Sequence, residues 1–212
     1  MHYIPPANNG LELIYSDESL LVANKPAGLL SVPGRGADKQ DCLSARIRRG
    51  FPDALVVHRL DMATSGLMIF ARGLQMQRRL SELFRDRFVT KRYVAVVAGT
   101  VQAATGEVNL PIAADWPNRP LRRIDAMTGK PSLTHYRVLA QHADTTRVEL
   151  TPVTGRTHQL RVHMAAIGHP ILGDALYGDP ASAPRLLLHA LSLDFPHPSG
   201  NSPLNFECPP SF

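Results

Sequence analysis

Cysteine is scarce in this chain: only Cys42 and Cys208 occur in 212 residues. They lie far apart and form no CxxC, so neither zinc-ligand spacing nor a disulfide framework is present. That fits a reducing compartment. No apolar stretch is long enough to span a bilayer, so no membrane association is expected. The opening MHYIPPANNGLELIY has no basic segment followed by an apolar run, so no signal peptide is expected and a cytoplasmic location is. Cofactor motifs are missing too. TGKPS lacks the upstream glycine of a phosphate-binding loop, and PGRGADK lacks the third glycine of a dinucleotide fingerprint. There is no HExxH, and His158 and His163 are five apart, a poor metal pair on a helix. Ser65 lacks a GxSxG elbow. No metal, nucleotide or flavin cofactor is therefore expected. Acidic residues are the smaller charged class, 18 against 23 basic, and the basic ones are mostly arginine. Arginine suits phosphate and base contacts, although a net charge of +5 also serves solubility.

What is present reads as a folded globule without repeats or a clear linker. LELIY and SLLVAN predict two short strands around Ser16, Asp17 and Glu18, followed by the loop KPAGLLSVPGRG. Asp41 is placed to cap a short helix ending at Gly50. Met76, Leu80, Leu83, Phe84 and Phe88 fall at helical spacing from about Gly73. KRYVAVVAG predicts a strand, and GEVNLPI to RVELTPV a series of short ones. Thr157 is placed to cap HQLRVHMAAI, with Leu160, Met164 and Ile167 on the buried face and Gly168 as the stop. LLLHALSLDF predicts a late strand, and the Pro-rich tail an irregular one. Many strands with few helices, not strictly alternating, imply an α+β fold with a mainly antiparallel sheet.

One stretch resists this pattern. In VVHRLDMATSGLMIFARG, the polar His58, Arg59 and Asp61 interrupt what otherwise reads as core. Buried polar groups of this kind cost several kcal/mol (~2–7) unless each is hydrogen-bonded. Three other stretches accompany it: NKPAGLLSVPG, GRTHQLRVHMAAIGHPILGD and RLLLHA. In order and wording the four resemble the RluA family of RNA pseudouridine synthases, from about Leu11 to the C-terminus.

The resemblance implies a pseudouridine synthase fold: a mainly antiparallel mixed sheet flanked by helices, with a central RNA-binding cleft. It also implies a single catalytic domain over residues 1–212, without the extra S4-type RNA-binding domain of larger members. The implied substrates are a 23S rRNA hairpin and the transfer-RNA anticodon stem-loop at position 32, with no obligatory protein partner and a monomeric enzyme. The implied reaction breaks the uracil N1 to ribose C1′ bond, turns the base and rejoins it through C5. Composition and redox state do not change, in agreement with the absent cofactor motifs.

Carried over residue by residue, Asp61 is the catalytic carboxylate, a nucleophile or an electrostatic partner near C1′. Arg156 of GRTHQ is its charge partner, which would offset the upward pKa shift that burial imposes. Tyr93 packs on the target base, and its hydroxyl is also a candidate acceptor for the C5 proton. Alone, it would read as a strand aromatic in the core. Arg59 is a candidate to fill the space left by a flipped nucleotide, against a salt bridge to Asp17 or Glu18. Leu186 is an aliphatic wall under the base, or plain core. Arg35 and Arg119, with Arg122, Arg123 and Lys130, suit phosphate contacts. His58, His158, His163 and His189 read as structural hydrogen-bonding residues. A glycosidase would need a second positioned acid. The only other acid in these stretches is Asp174, which reads as a turn residue.

Overall fold

The computed structural model describes residues 3–200 and 202–212. In chain order its elements begin with β1 (Leu13–Ser16), β2 (Leu20–Lys25), α1 (Leu43–Gly50), β3 (Ala54–Val56), β4 (Ser65–Arg72) and α2 (Gly73–Arg85). There follow β5 (Thr90–Ala98), β6 (Thr105–Asn109), β7 (Ile112–Ala114), β8 (Arg122–Ile124), β9 (Leu133–Gln141) and β10 (Thr145–Pro152). The last elements are α3 (Gln159–Ala166), β11 (Leu188–Pro196) and β12 (Pro203–Glu207). The chain divides into two compact units: residues up to Lys91 with Ala190–Ser211, and Arg92–His189 with Phe212.

In the first unit, β1 pairs antiparallel with β2 and β2 with β4; the strand order runs β1-β2-β4-β11. The turn between β1 and β2 is made by Asp17, whose carboxylate accepts the N–H groups of Ser19 and Leu20 at 2.7 and 2.8 Å. β4 reads SGLMIFAR and is buried almost end to end, because both of its faces are covered. Leu67, Ile69 and Ala71 pack with Leu20 and Val22 of β2 and with Leu80, Met76, Leu83 and Phe84 of α2. Met68 and Phe70 pack on the other side with Leu21 and Ala23 and with Leu43 and Ile47 of α1. The alternation of side chains along a strand thus supplies two cores from one apolar run. Gly66 sits at φ 111° with the backbone of Ala190 so close that a Cβ would not fit, the reason for glycine in TSGL.

Three expectations change in this unit. Cys42, not Asp41, is the N-cap of α1, and no side-chain cap forms; Asp41 instead grips Arg46 through two bonds of 2.8 Å. Phe88 lies beyond α2 and is exposed, because the helix ends at Arg85 and Arg87 turns left-handed at φ 64°. The tail is not wholly irregular: β12 pairs antiparallel with β11, Phe206 reaching the core beside Phe195.

In the second unit β5, β10, β9 and β6 pair antiparallel in that order. β10 alternates strictly, with Thr146, Val148, Leu150 and Pro152 inward. β7 and β8 form a separate two-stranded hairpin. In α3, Leu160 and Met164 are buried as expected, but the N-cap is His158 at φ 59°, not Thr157, and Ile167 is the half-buried C-cap. Arg161 and Asp174, both almost fully buried, join α3 to the segment that follows it through bonds of 2.7 and 2.5 Å.

Candidate active site

Asp61 lies in the irregular segment between β3 and β4, and the backbone on both sides of it is pinned. Leu60 N–H donates to Ser31 Oγ at 3.1 Å, and Ser31 Oγ–H donates back to the Leu60 carbonyl at 2.7 Å. The Met62 carbonyl accepts from Gly28 N–H at 2.9 Å and from Lys25 Nζ at 3.0 Å. The Asp61 carbonyl accepts from Thr64 N–H at 3.1 Å, closing a turn. The loop KPAGLLS is therefore the bracket on which the HRLD segment hangs, and Asp61 itself stays half-buried.

Lys25 is fully buried and donates to three carbonyls, those of Pro26, Leu29 and Met62. Burial pushes its ammonium down to about 7, and the negative charge of Asp61 pulls the other way. The carboxylate on the bracket thus favours the charged form of the cation inside it. The sequence reading missed both Lys25 and Ser31, although they stand in NKPAGLLS.

The neighbours of Asp61 take separate roles. Arg59 is exposed, and the ion pair expected as its alternative is not made with Asp17, which is occupied by Tyr15, Ser19, Leu20 and His197. His58 stacks on Phe84 at 4.6 Å between centroids, and its Nε2 accepts Ile69 N–H at 2.9 Å. Burial, then the charge of Lys91, lowers its pKa to about 3, so it is a neutral acceptor at physiological pH. That is the structural role read from the sequence. Arg35 is exposed in the loop after Ser31.

The second unit carries the remaining candidates. Arg156 is exposed, in the turn that leads into α3. Gln159 holds that turn: its Oε1 accepts from Arg156 N–H at 3.0 Å and from Thr154 Oγ–H at 2.7 Å. Its Nε2 donates to the Leu133 carbonyl and to Thr134 Oγ1, each at 3.0 Å. Arg156 Nε donates to the Pro131 carbonyl at 3.3 Å, which orients the guanidinium from one edge. His158 Nδ1 shares a 2.7 Å bond with the Tyr177 hydroxyl, and His163 bonds Thr134 and the Leu110 carbonyl. Tyr93 stands on β5 opposite Leu150, half-buried. Leu186 is buried, and its neighbour Leu187 pairs with Val96 and Leu172. Arg119 is exposed beyond β7.

Asp174 is a turn residue, accepting from Leu176 and Tyr177 N–H, but it is also the partner of Arg161. Burial acts against its ionised form, and the Arg161 hydrogen bond and charge outweigh this, so its pKa is lowered. Gln159 and Tyr177 as supports were also missed; THQLR holds the first in plain view. Among the described residues no three His, Cys, Asp or Glu side chains converge on a metal site, and no helix is long and apolar enough to cross a membrane.

Residues 19–166 match the family described as RNA pseudouridylate synthase. The chain is 49% identical to the dual-specificity RNA pseudouridine synthase RluA of Escherichia coli over 215 aligned positions, covering 100% of this chain and 98% of that protein. It is 48% identical to the RluA protein of Pasteurella multocida, covering 99% and 98% of the two chains. Among solved structures, human RNA pseudouridylate synthase domain containing 1 superposes with a TM-score of 0.81 at 30% identity, over 99% of this chain and 87% of that one. The architecture is thus the α+β pseudouridine synthase fold, a mixed sheet flanked by helices. With an acid held on a rigid apolar frame and the family's motifs in order, the chain belongs to the RluA family of RNA pseudouridine synthases, isomerases that act on RNA.

Proposed function

We propose that this enzyme isomerises a uridine flipped out of a structured stem-loop, in 23S rRNA, at position 32 of a transfer-RNA anticodon loop, or in both. The relatives named dual-specificity enzymes support the double substrate. In this reading the protein works as a monomer in the cytoplasm. The N1–C1′ bond breaks and a C5–C1′ bond forms; C5 loses a proton and N1 gains one. Nothing is oxidised, so the reaction needs no cofactor.

Asp61 serves C1′ as nucleophile or electrostatic partner, and Arg156 is its charge partner. Tyr93 stacks on the base, Leu186 excludes water beneath it, and Arg59 fills the gap in the RNA stack. Arg35 and Arg119 contact the RNA outside the reacting centre. The single observation that carries this reading is the bracing of the backbone on both sides of Asp61 from Ser31, Gly28 and Lys25, which fixes the segment that presents one carboxylate. An ionised aspartate needs positioning more than activation, since its ordinary pKa is about 3.9.

The test uses transcripts carrying 5-tritiated uridine. Wild type should release tritium, and Asp61→Asn should release none while still binding RNA. Release by the variant removes Asp61 from its role. No release by wild type from ribosomal or transfer RNA sinks the function.

A further inference from the structure

The exposed end of the β7–β8 hairpin is not accounted for by the chemistry at Asp61. Trp116, the only tryptophan of the chain, is 67% exposed. The Arg119 guanidinium lies 3.4 Å from the centre of the indole, covering one face of it. The loop that presents the pair is built, not slack. Asp115 N–H donates to the Leu121 carbonyl at 3.1 Å, Leu121 N–H to the Asn118 carbonyl at 3.0 Å, and Asn118 Nδ2 to the Asp115 carboxylate at 3.0 Å.

The base of the hairpin is tied to the motif that carries Arg156. Ile112 and Lys130 exchange two backbone hydrogen bonds of 3.0 and 2.9 Å. Arg122 N–H donates to the Tyr177 hydroxyl at 2.8 Å, the same hydroxyl that bonds His158. Pro131, next in the chain, gives its carbonyl to Arg156. Charge points to the occupant. The hairpin and its flanks carry Arg119, Arg122, Arg123 and Lys130 against Asp115 and Asp125. Both acids are already engaged: Asp115 by Asn118, and Asp125 by Arg123, Thr128 and Met127 N–H. A rigid exposed indole capped by a guanidinium, on a hairpin whose cations outnumber its acids, is what an unpaired nucleotide stacks on. A protein partner would call for a broader apolar surface than one indole.

We propose that Trp116 and Arg119 form a stacking platform for an unpaired nucleotide of the substrate RNA other than the reacting uridine. The platform deepens the RNA stem-loop reading and rests on it. The base extends the guanidinium–indole stack, and the basic neighbours meet its phosphates.

Because Trp116 is the sole tryptophan, its emission reports the contact directly. Titrating the full chain with a fluorescein-labelled uridine-containing RNA stem-loop should quench tryptophan emission in parallel with the rise in anisotropy. Trp116→Ala should weaken RNA binding about tenfold, with the loss in KM exceeding the loss in kcat. Trp116→Phe should recover most of the affinity, because stacking needs a ring and not the indole N–H. An unchanged emission while anisotropy reports bound RNA overturns the platform, as does Trp116→Ala binding RNA as wild type does. Failure of the pseudouridine synthase reading itself would show differently, as no tritium release by wild type, whatever the emission does.

Discussion

Lys25 in the first unit and Arg161 in the second are both buried cations, and they are satisfied in opposite ways. Arg161 faces a carboxylate as buried as itself, and Asp174 takes both of its bonds in parallel while also closing a turn. Lys25 faces only carbonyl oxygens. A fork-to-fork ion pair neutralises its own charge and acts locally as a fastener. An ammonium held by neutral dipoles is not neutralised by its bonding partners, and the charge that favours its protonated form is that of Asp61. The second unit therefore uses a buried charge to hold α3 in place, and the first uses one to hold the loop against the segment that carries Asp61.

The largest expected effect breaks the fastener. Asp174→Ala leaves Arg161 buried without its anion, and removing one member of such a pair costs about 3–5 kcal/mol. The urea midpoint should fall accordingly, whereas the double change Arg161→Met with Asp174→Leu should cost much less, because neither charge is stranded. The pH dependence has a definite sign. The folded pKa of Asp174 lies below its unfolded value, so the stabilisation is present above about 4 and is lost as the pH falls. A single variant as stable as wild type would mean the pair holds nothing.

Lys25→Met should cost less stability, about 1–3 kcal/mol for carbonyls left without their donor, and more activity. The pH sign is the reverse of the usual lysine case. The folded pKa is down to about 7 and the unfolded one is near 10, so between them the unfolded chain binds more protons. This group's contribution makes stability rise with pH across that window, and Lys25→Met should flatten the slope. If kcat is untouched by the variant, the field of Lys25 does nothing for Asp61.

These two cations also show where sequence reading stops. The run that forms β4 was legible as core because a continuous apolar run between turn signals has few other uses. Asp61 was singled out because HRLD stood out against that run. Lys25 was not, since its partners are backbone carbonyls, which the sequence places nowhere in particular. Asp174 was read as a turn residue because its turn is local, while Arg161 lies thirteen residues away on a helix. β12 was invisible for a related reason: PLNFE has weak strand character of its own and extends only where β11 offers a partner. Asp41 preceded a helix and so looked like a cap, but a guanidinium one turn on competed for its carboxylate.

That last pair lies between the two extremes and gives the smallest effect. Arg46 is almost wholly buried, like Arg161, yet Asp41 is 36% exposed, and Arg46 also donates to the carbonyls of Pro6 at 2.7 Å and Ala7 at 3.4 Å. It thus has both kinds of partner. Removing the anion by Asp41→Asn leaves the carbonyls in place and an amide oxygen still able to accept, so the guanidinium is not stranded. Water reaches the carboxylate and screens what remains, so the expected loss is about 1 kcal/mol or less. The hydrogen bonds from Arg46 hold the Asp41 carboxyl below its usual range, so this contribution is present at neutral pH and fades as the pH falls below about 4. Chemical denaturation of wild type and Asp41→Asn at neutral pH and at pH near 3 checks it: the gap between them should close in acid. A gap as large as that of Asp174→Ala would mean that burial of the cation alone sets the cost, and the exposure of its partner would then count for nothing.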